Sequence, residues 1–230
     1  MALTSRTLLE PRKSPVQARA VASVDAVLEA AIQVLLQLGK ERLTTTNVAS
    51  RAGVSVGTLY QYFPNKSALL QAVLRRHLNE VTEEVERVCK QQKGNAPRQM
   101  VAALITAFLQ VKLRDAKTSI ALYSVSSDVD GAKIAQQTGV RTNKAIIAML
   151  ATASEPLSTD PHLIAFTLVG AMTGVSRRML ESGAPARQLD ILGRELVSMA
   201  CAYIDACTLP LAVEDIDEIQ LRPARAEVTS

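Results

Sequence analysis

Tryptophan is absent from this chain, and only three phenylalanines, four tyrosines, three cysteines and two histidines occur in its 230 residues. Hydrophobic residues still make up 48% while aromatics reach 3%, so alanine, leucine, valine and isoleucine carry the apolar share. That balance favours helix bundles over β-sandwiches, because alanine and straight-chain residues lose little freedom in a helix. Cys89, Cys201 and Cys207 are too few and too scattered for a disulfide framework or a zinc site, and they read as inert buried thiols. No nucleophile–base–acid grouping, metal-ligand spacing or phosphate loop is visible, which argues against catalysis and assigns no cofactor and no metal. Arg6, Glu10, Arg12 and Lys13 interrupt any apolar leader, and no run reads as long and apolar enough to span a bilayer. The expectation is therefore a cytoplasmic protein with no membrane partner.

The formal charge is +4. Up to Leu70 there are eight cations (Arg6, Arg12, Lys13, Arg19, Lys40, Arg42, Arg51, Lys66) against four anions (Glu10, Asp25, Glu29, Glu41), so this segment accounts for the whole excess. A basic N-terminal segment on a neutral body suits a polyanionic partner, although ordinary surface charge would read the same way.

Residues 1–15 read as a flexible basic arm. Val21, Val24, Leu28, Ala31, Leu35 and Leu38 then recur at helical spacing until Gly39. Thr44, Thr45 and Thr46 offer N-caps for a short helix ending at Gly53, and Ser55 can cap a second reaching Phe63. Pro64 stops that helix, and Asn65 can cap a long one from Lys66 to about Gln91. Further helices are predicted from about Pro97 to Asp115, Thr118 to Ser126, Gly131 to Ala153, Pro161 to Ser182 and Ala186 to Cys207, followed by a flexible tail over 209–230.

The segment Thr45–Lys66 carries the chemistry. Two short helices meet at Gly53, which tolerates a left-handed backbone. Val48, Ala52, Val54, Leu59 and Phe63 can supply their shared core. Gly57 sits inside the second helix, where it should cost about 1 kcal/mol relative to alanine unless a ligand backbone approaches it closely. The hydroxyls of Tyr60 and Tyr62 suit phosphate oxygens. Lys66 stands at a helix N-terminus, unfavourable for a cation unless an anion binds there with it. Singly, each of these residues reads as solvated surface; together they point to duplex DNA.

The carriers Thr45, Val48-Ala49, Ala52-Gly53-Val54-Ser55, Gly57-Thr58-Leu59-Tyr60, Tyr62-Phe63, Asn65-Lys66 and Leu69 closely resemble the DNA-binding domain of the TetR/AcrR (tetracycline-repressor-like) family, over about Gln17 to Leu78. The resemblance implies an all-α homodimer. An N-terminal three-helix helix-turn-helix domain (16–70) would precede a C-terminal helical ligand-binding and dimerisation domain (71–208). By position, Val56, Gly57, Thr58 and Gln61 would face bases or adjacent backbone, with Ser55 opening the recognition helix. Thr45, Thr46, Tyr60, Tyr62 and Lys66 would touch phosphates. Arg6, Arg12 and Lys13 could add phosphate or minor-groove contacts from the arm, a disordered solubility tail being the equal alternative.

In the C-terminal half, Gly170 and Gly174 with Leu163 and Phe166 suit close helix approach, and Leu189, Leu192, Leu196 and Tyr203 form a stripe on the last helix. Two such helices per protomer would make a four-helix dimer interface, burial within one chain being the alternative. Phe108, Tyr123, Met149 and Met172 suit a greasy ligand pocket or equally an ordinary core. His77, beside Arg75 and Arg76, reads as a surface residue, and His162 as part of a helix start. The function expected is a ligand-responsive transcriptional regulator with two partners, an operator duplex and a small hydrophobic effector of unknown identity. Repressor is the first reading; an activator or global regulator of the same fold, and remotely a helical-bundle enzyme, are the alternatives.

Overall fold

A computed structural model describes residues 18–208, which form helices joined by short loops, with no strand among them. The basic arm with Arg6, Arg12 and Lys13, and the tail over 209–230, lie outside the described residues. The helices are α1 (Ala18–Arg42), α2 (Thr45–Ala52), α3 (Val56–Tyr62), α4 (Lys66–Gln91), α5 (Pro97–Arg114), α6 (Ala116–Ser126), α7 (Gly131–Leu150), α8 (Pro161–Glu181) and α9 (Ala186–Thr208). A single 3-10 turn (Ser127–Val129) joins α6 to α7.

Local chemistry fixes most ends. Thr44 accepts from the Asn47 amide, Ser55 from Thr58 and Asn65 from Ala68, so α2, α3 and α4 each begin on a side-chain cap. Proline opens both α5 and α8, where its missing N–H costs nothing. α1 is interrupted at Gly39, whose φ of 75° lies outside the helical range. At the first residue of α7, a Cβ on Gly131 would lie 2.6 Å from the Ser126 carbonyl oxygen, so only glycine fits.

Two apolar clusters organise the molecule. The first joins Val27, Ala31, Leu35, Val48, Leu59 and Phe63 to Leu69, Val73 and Leu74 of α4. The second gathers α5, α7, α8 and α9 around Val81 and Val85, through residues such as Leu104, Ile146, Met149, Leu168 and Leu196. α4 thus enters both. The first cluster does not divide at residue 70: Leu122 and Val125 of α6, Val129 and Ile134 complete it. Polar links reinforce that seam. Lys40 pairs with Asp128 at 3.0 Å, and this hydrogen bond holds the Asp128 carboxyl below the usual carboxylate range. The Gln71 amide donates to the Val129 carbonyl at 3.3 Å.

By length and composition α1 and α8 are long and apolar enough to cross a membrane, which corrects the expectation that no such run exists. In the fold each is committed to protein packing, α1 through Val27, Ala31, Val34 and Leu35 and α8 through Ile164, Ala165, Leu168 and Met172.

Candidate functional site

The α2–α3 corner is built by its turn. Gly53 adopts φ 68°, ψ 27°, its amide donates to the Ser50 carbonyl at 3.2 Å, and the Val54 amide donates to Ala49 at 3.0 Å. These bonds satisfy the end of α2 and start the chain toward Ser55. Leu59 and Phe63 are buried at 0% and 2% exposure and anchor α3. Gly57, Tyr60 and Gln61, spaced i, i+3 and i+4, stand exposed on the opposite face.

Gly57 occupies the second position of α3, in its first turn and not deep within it. A Cβ built there would meet only Ser55 Oγ, at 3.7 Å. Internal packing therefore gives no reason for glycine. Thr45 and Tyr60, from the start of α2 and the end of α3, are brought together with their hydroxyls 3.0 Å apart. Whichever donates, the other keeps a proton to offer outward. Thr46 is exposed in the first turn of α2, where backbone amides lack helical partners.

Four assigned residues are held by internal contacts. Val56 and Tyr62 are half-buried against the N-terminal cluster, the Tyr62 ring lying 6.5 Å from that of Phe63. Thr58 is half-buried, its hydroxyl 2.8 Å from that of Ser55. The Lys66 ammonium donates to the Lys40 carbonyl at 2.6 Å. A cation at the N-terminus of α4 is thereby spent on the C-terminal end of α1, where it is electrostatically favourable without any bound anion.

In the C-terminal half, Leu163 (60% exposed), Phe166 (74%), Gly170 and Gly174 share the outer face of α8. The expected α9 stripe faces inward instead. Leu196 is 2% exposed, and Leu189, Leu192 and Tyr203 pack against the C-terminal cluster. α9 carries apolar residues on two faces, and its exposed pair is Ile191 and Met199.

A cavity of about 210 Å³ opens between α4, α5, α6, α7 and α8, and Phe108, Tyr123 and Met172 are among the residues that line it. Met149 does not; it is fully buried in the C-terminal cluster. The cavity's unforeseen member is Lys112, 5% exposed, whose position four residues after Phe108 puts it on the buried face of α5. Burial lowers its pKa to about 8. Its ammonium lies 5.2 Å from the Tyr123 ring centroid, and no carboxylate among the described residues pairs with it. A ring face contributes about 0.5–2 kcal/mol to a cation, whereas desolvating an ion costs several kcal/mol.

His77 is also buried, correcting its surface assignment: Leu70, Leu74, His77 and Val81 follow one face of α4. Burial, reinforced by the nearby Lys112 charge, lowers its pKa to about 4. Its Nε2 lies 3.2 Å from the Ser119 hydroxyl, which donates to the Lys112 carbonyl. His162 is exposed, and its amide donates to Asp160 at the start of α8. All three cysteines are buried free thiols.

Two family models match. Residues 27–73 match the bacterial regulatory proteins of the tetR family, and residues 97–204 match the tetracyclin repressor-like C-terminal domain. The chain is 28% identical over 162 residues to the HTH-type transcriptional activator FasR of Mycolicibacterium smegmatis, covering 69% of this chain and 73% of that protein. It is 34% identical over 79 residues to the HTH-type transcriptional regulator BetI of Brucella suis, spanning 34% of this chain and 39% of that relative. The fold superimposes on SmeT, the repressor of the Stenotrophomonas maltophilia multidrug efflux pump SmeDEF, with a TM-score of 0.62 at 23% identity, covering 83% of this chain and 95% of that one. An all-helical chain whose helix-turn-helix corner and C-terminal bundle both match one family belongs to it: this is a TetR-family DNA-binding transcriptional regulator.

Proposed function

We propose that the chain acts as a cytoplasmic homodimeric repressor that a small effector releases from its operator, with no catalytic role. The observation that carries the DNA reading is Gly57: an exposed helical glycine with no internal reason to be glycine. Close approach of a phosphodiester backbone or base edge supplies the missing reason. In this reading α3 enters the major groove. Gly57 and Gln61 approach bases directly, and Val56 and Thr58 contribute methyl groups at the edge of the contact. Thr45, Thr46, Ser55, Tyr60 and Tyr62 hold phosphates, and Lys66 adds its remaining N–H donors. The helix-turn-helix unit extends over about residues 16–70 and the effector-binding and dimerisation unit over 71–208. Two protomers associate through the exposed face of α8, and their paired corners reach successive major grooves about 34–36 Å apart.

The test is a gel shift on the DNA upstream of the chain's own gene. Specific binding should weaken steeply between 50 and 200 mM salt, roughly as expected for several phosphate contacts. Salt-insensitive binding, or none at several candidate operators, would count against the proposal. A second reading, activation, is favoured by the likeness to FasR, whose name describes an activator. In vitro transcription from the bound promoter separates the two by the sign of the effect.

A further inference from the structure

We infer that the cavity takes an amphipathic organic anion, an apolar body whose acid group pairs with the Lys112 ammonium. This rests on the proposed effector-released repressor and takes this cavity as its effector site. The observation behind it is a side chain that packing alone leaves unexplained. Lys112 is 5% exposed and lines the cavity, yet among the described residues no hydrogen-bond acceptor or carboxylate meets its ammonium. The Tyr123 ring offers it a π face at 5.2 Å but no acceptor for its three N–H groups. A second cation, Arg177, lies 5.4 Å from the same ring centroid, which adds positive potential, although Arg177 itself pairs with Glu181. No aspartate or glutamate is among the residues lining the cavity.

The rest of the lining sets the remainder of the ligand. Leu78, Val81, Val85, Phe108, Val169 and Met172 form an apolar sleeve. Thr82 and Thr138 also line it, but their hydroxyl protons are used on the carbonyls of Leu78 and Ile134 within their own helices. Those two hydroxyls therefore offer a ligand acceptors more readily than donors; Tyr123, Ser126, Thr142 and Thr173 add neutral hydroxyls, and the ammonium is the one charged donor among the lining residues. The volume, about 210 Å³, exceeds the ~150 Å³ apolar cavity that accommodates benzene, so a body of about eight carbons is an appropriate probe.

The experiment is isothermal titration of the full-length chain with octanoate, octan-1-ol and octylamine, three probes sharing one body. Octanoate should bind roughly 10- to 100-fold more tightly than octan-1-ol, the ratio expected for charge-assisted hydrogen bonds, and octylamine should bind least. Lys112→Met should abolish the preference for octanoate over octan-1-ol, and Lys112→Arg should retain it. Equal affinities of octanoate and octan-1-ol for the unaltered chain, or an undiminished preference in Lys112→Met, overturn the assignment of Lys112 while leaving an apolar effector cavity in place. Binding of none of the three overturns both. Should Lys112→Met fail to fold by circular dichroism, the three-probe comparison on the unaltered chain still decides the matter.

Discussion

Replacing Gly57 should move stability and DNA binding in opposite directions. The residue is exposed in the first turn of α3, and an added Cβ would meet only Ser55 Oγ, at an ordinary contact distance of 3.7 Å. Gly57→Ala therefore removes a flexible residue without strain and should stabilise the free protein by about 0.5 kcal/mol, the low end for a glycine near a helix start. For a chain of this size that corresponds to about 1–2 °C in melting temperature. On DNA the same methyl enters the space reserved for the duplex. Overpacking of this kind costs about 1–3 kcal/mol per half-site, a loss of roughly 5- to 150-fold, and Gly57→Leu should exceed it. Fluorescence anisotropy with a labelled operator at fixed salt, run beside thermal unfolding, reads both quantities. A misfolded variant would lose both together. Unchanged operator affinity in both Gly57→Ala and Gly57→Leu would refute the argument that α3 presents this face to DNA.

The buried His77 has its pKa lowered to about 4, below its unfolded value, so the unfolded chain takes up the proton first as pH falls. Stability from this group is complete above about pH 6.5 and declines toward pH 4 by on the order of 3 kcal/mol; urea titrations across that range should show it, and His77→Gln should flatten it. Gly131→Ala should destabilise the fold by at least about 1–3 kcal/mol, because its Cβ would collide with the Ser126 carbonyl, and a melting temperature equal to that of the parent would contradict this. Phe166→Glu on the exposed face of α8 should shift the chain toward monomer in analytical ultracentrifugation without lowering its melting temperature at the same concentration by more than the loss of association explains, since 74% of the residue is exposed within one chain.

Helix ends were legible because single residues dictate them. Gly53, Asn65, Pro97 and Pro161 each impose or forbid a backbone state, and the observed bounds follow them. Which face of a helix points where was harder to read. α9 has leucines on one side and Ile191 and Met199 on another, and periodicity alone does not say which meets its own core. Met149 and Met172 have the same chemistry, yet one is sealed in the cluster and the other borders the cavity, a difference set by tertiary packing. The surroundings of Lys66 and Lys112 are hidden from the sequence for a common reason. A lysine in sequence reads as solvent-facing charge, whereas here one ammonium finishes a neighbouring helix and the other sits in an apolar wall. The spacing Phe108–Leu109–Lys112 is nonetheless that of one helical face.

Two routes join the cavity to the DNA-facing corner. α4 runs through both clusters, and its Leu74 belongs to the N-terminal core while also lining the cavity. α6 is the second: Ser119 is tied to the Lys112 backbone, Ser126 borders the cavity, and Leu122 and Val125 lie in the N-terminal core. An occupant that displaces α6 therefore also disturbs the seat of α1 and the Lys40–Asp128 link. Packed interiors respond by switching between arrangements and not by bending smoothly. Taking a population from 1:99 to 99:1 needs about 10⁴-fold differential affinity in total. A dimer with two such cavities divides that requirement, so each site needs only about a hundredfold preference for the released state. One charge-assisted hydrogen bond made or broken as α6 moves is of that order, which is why an ammonium held beside the α6 attachment is a better lever than apolar packing spread along the sleeve.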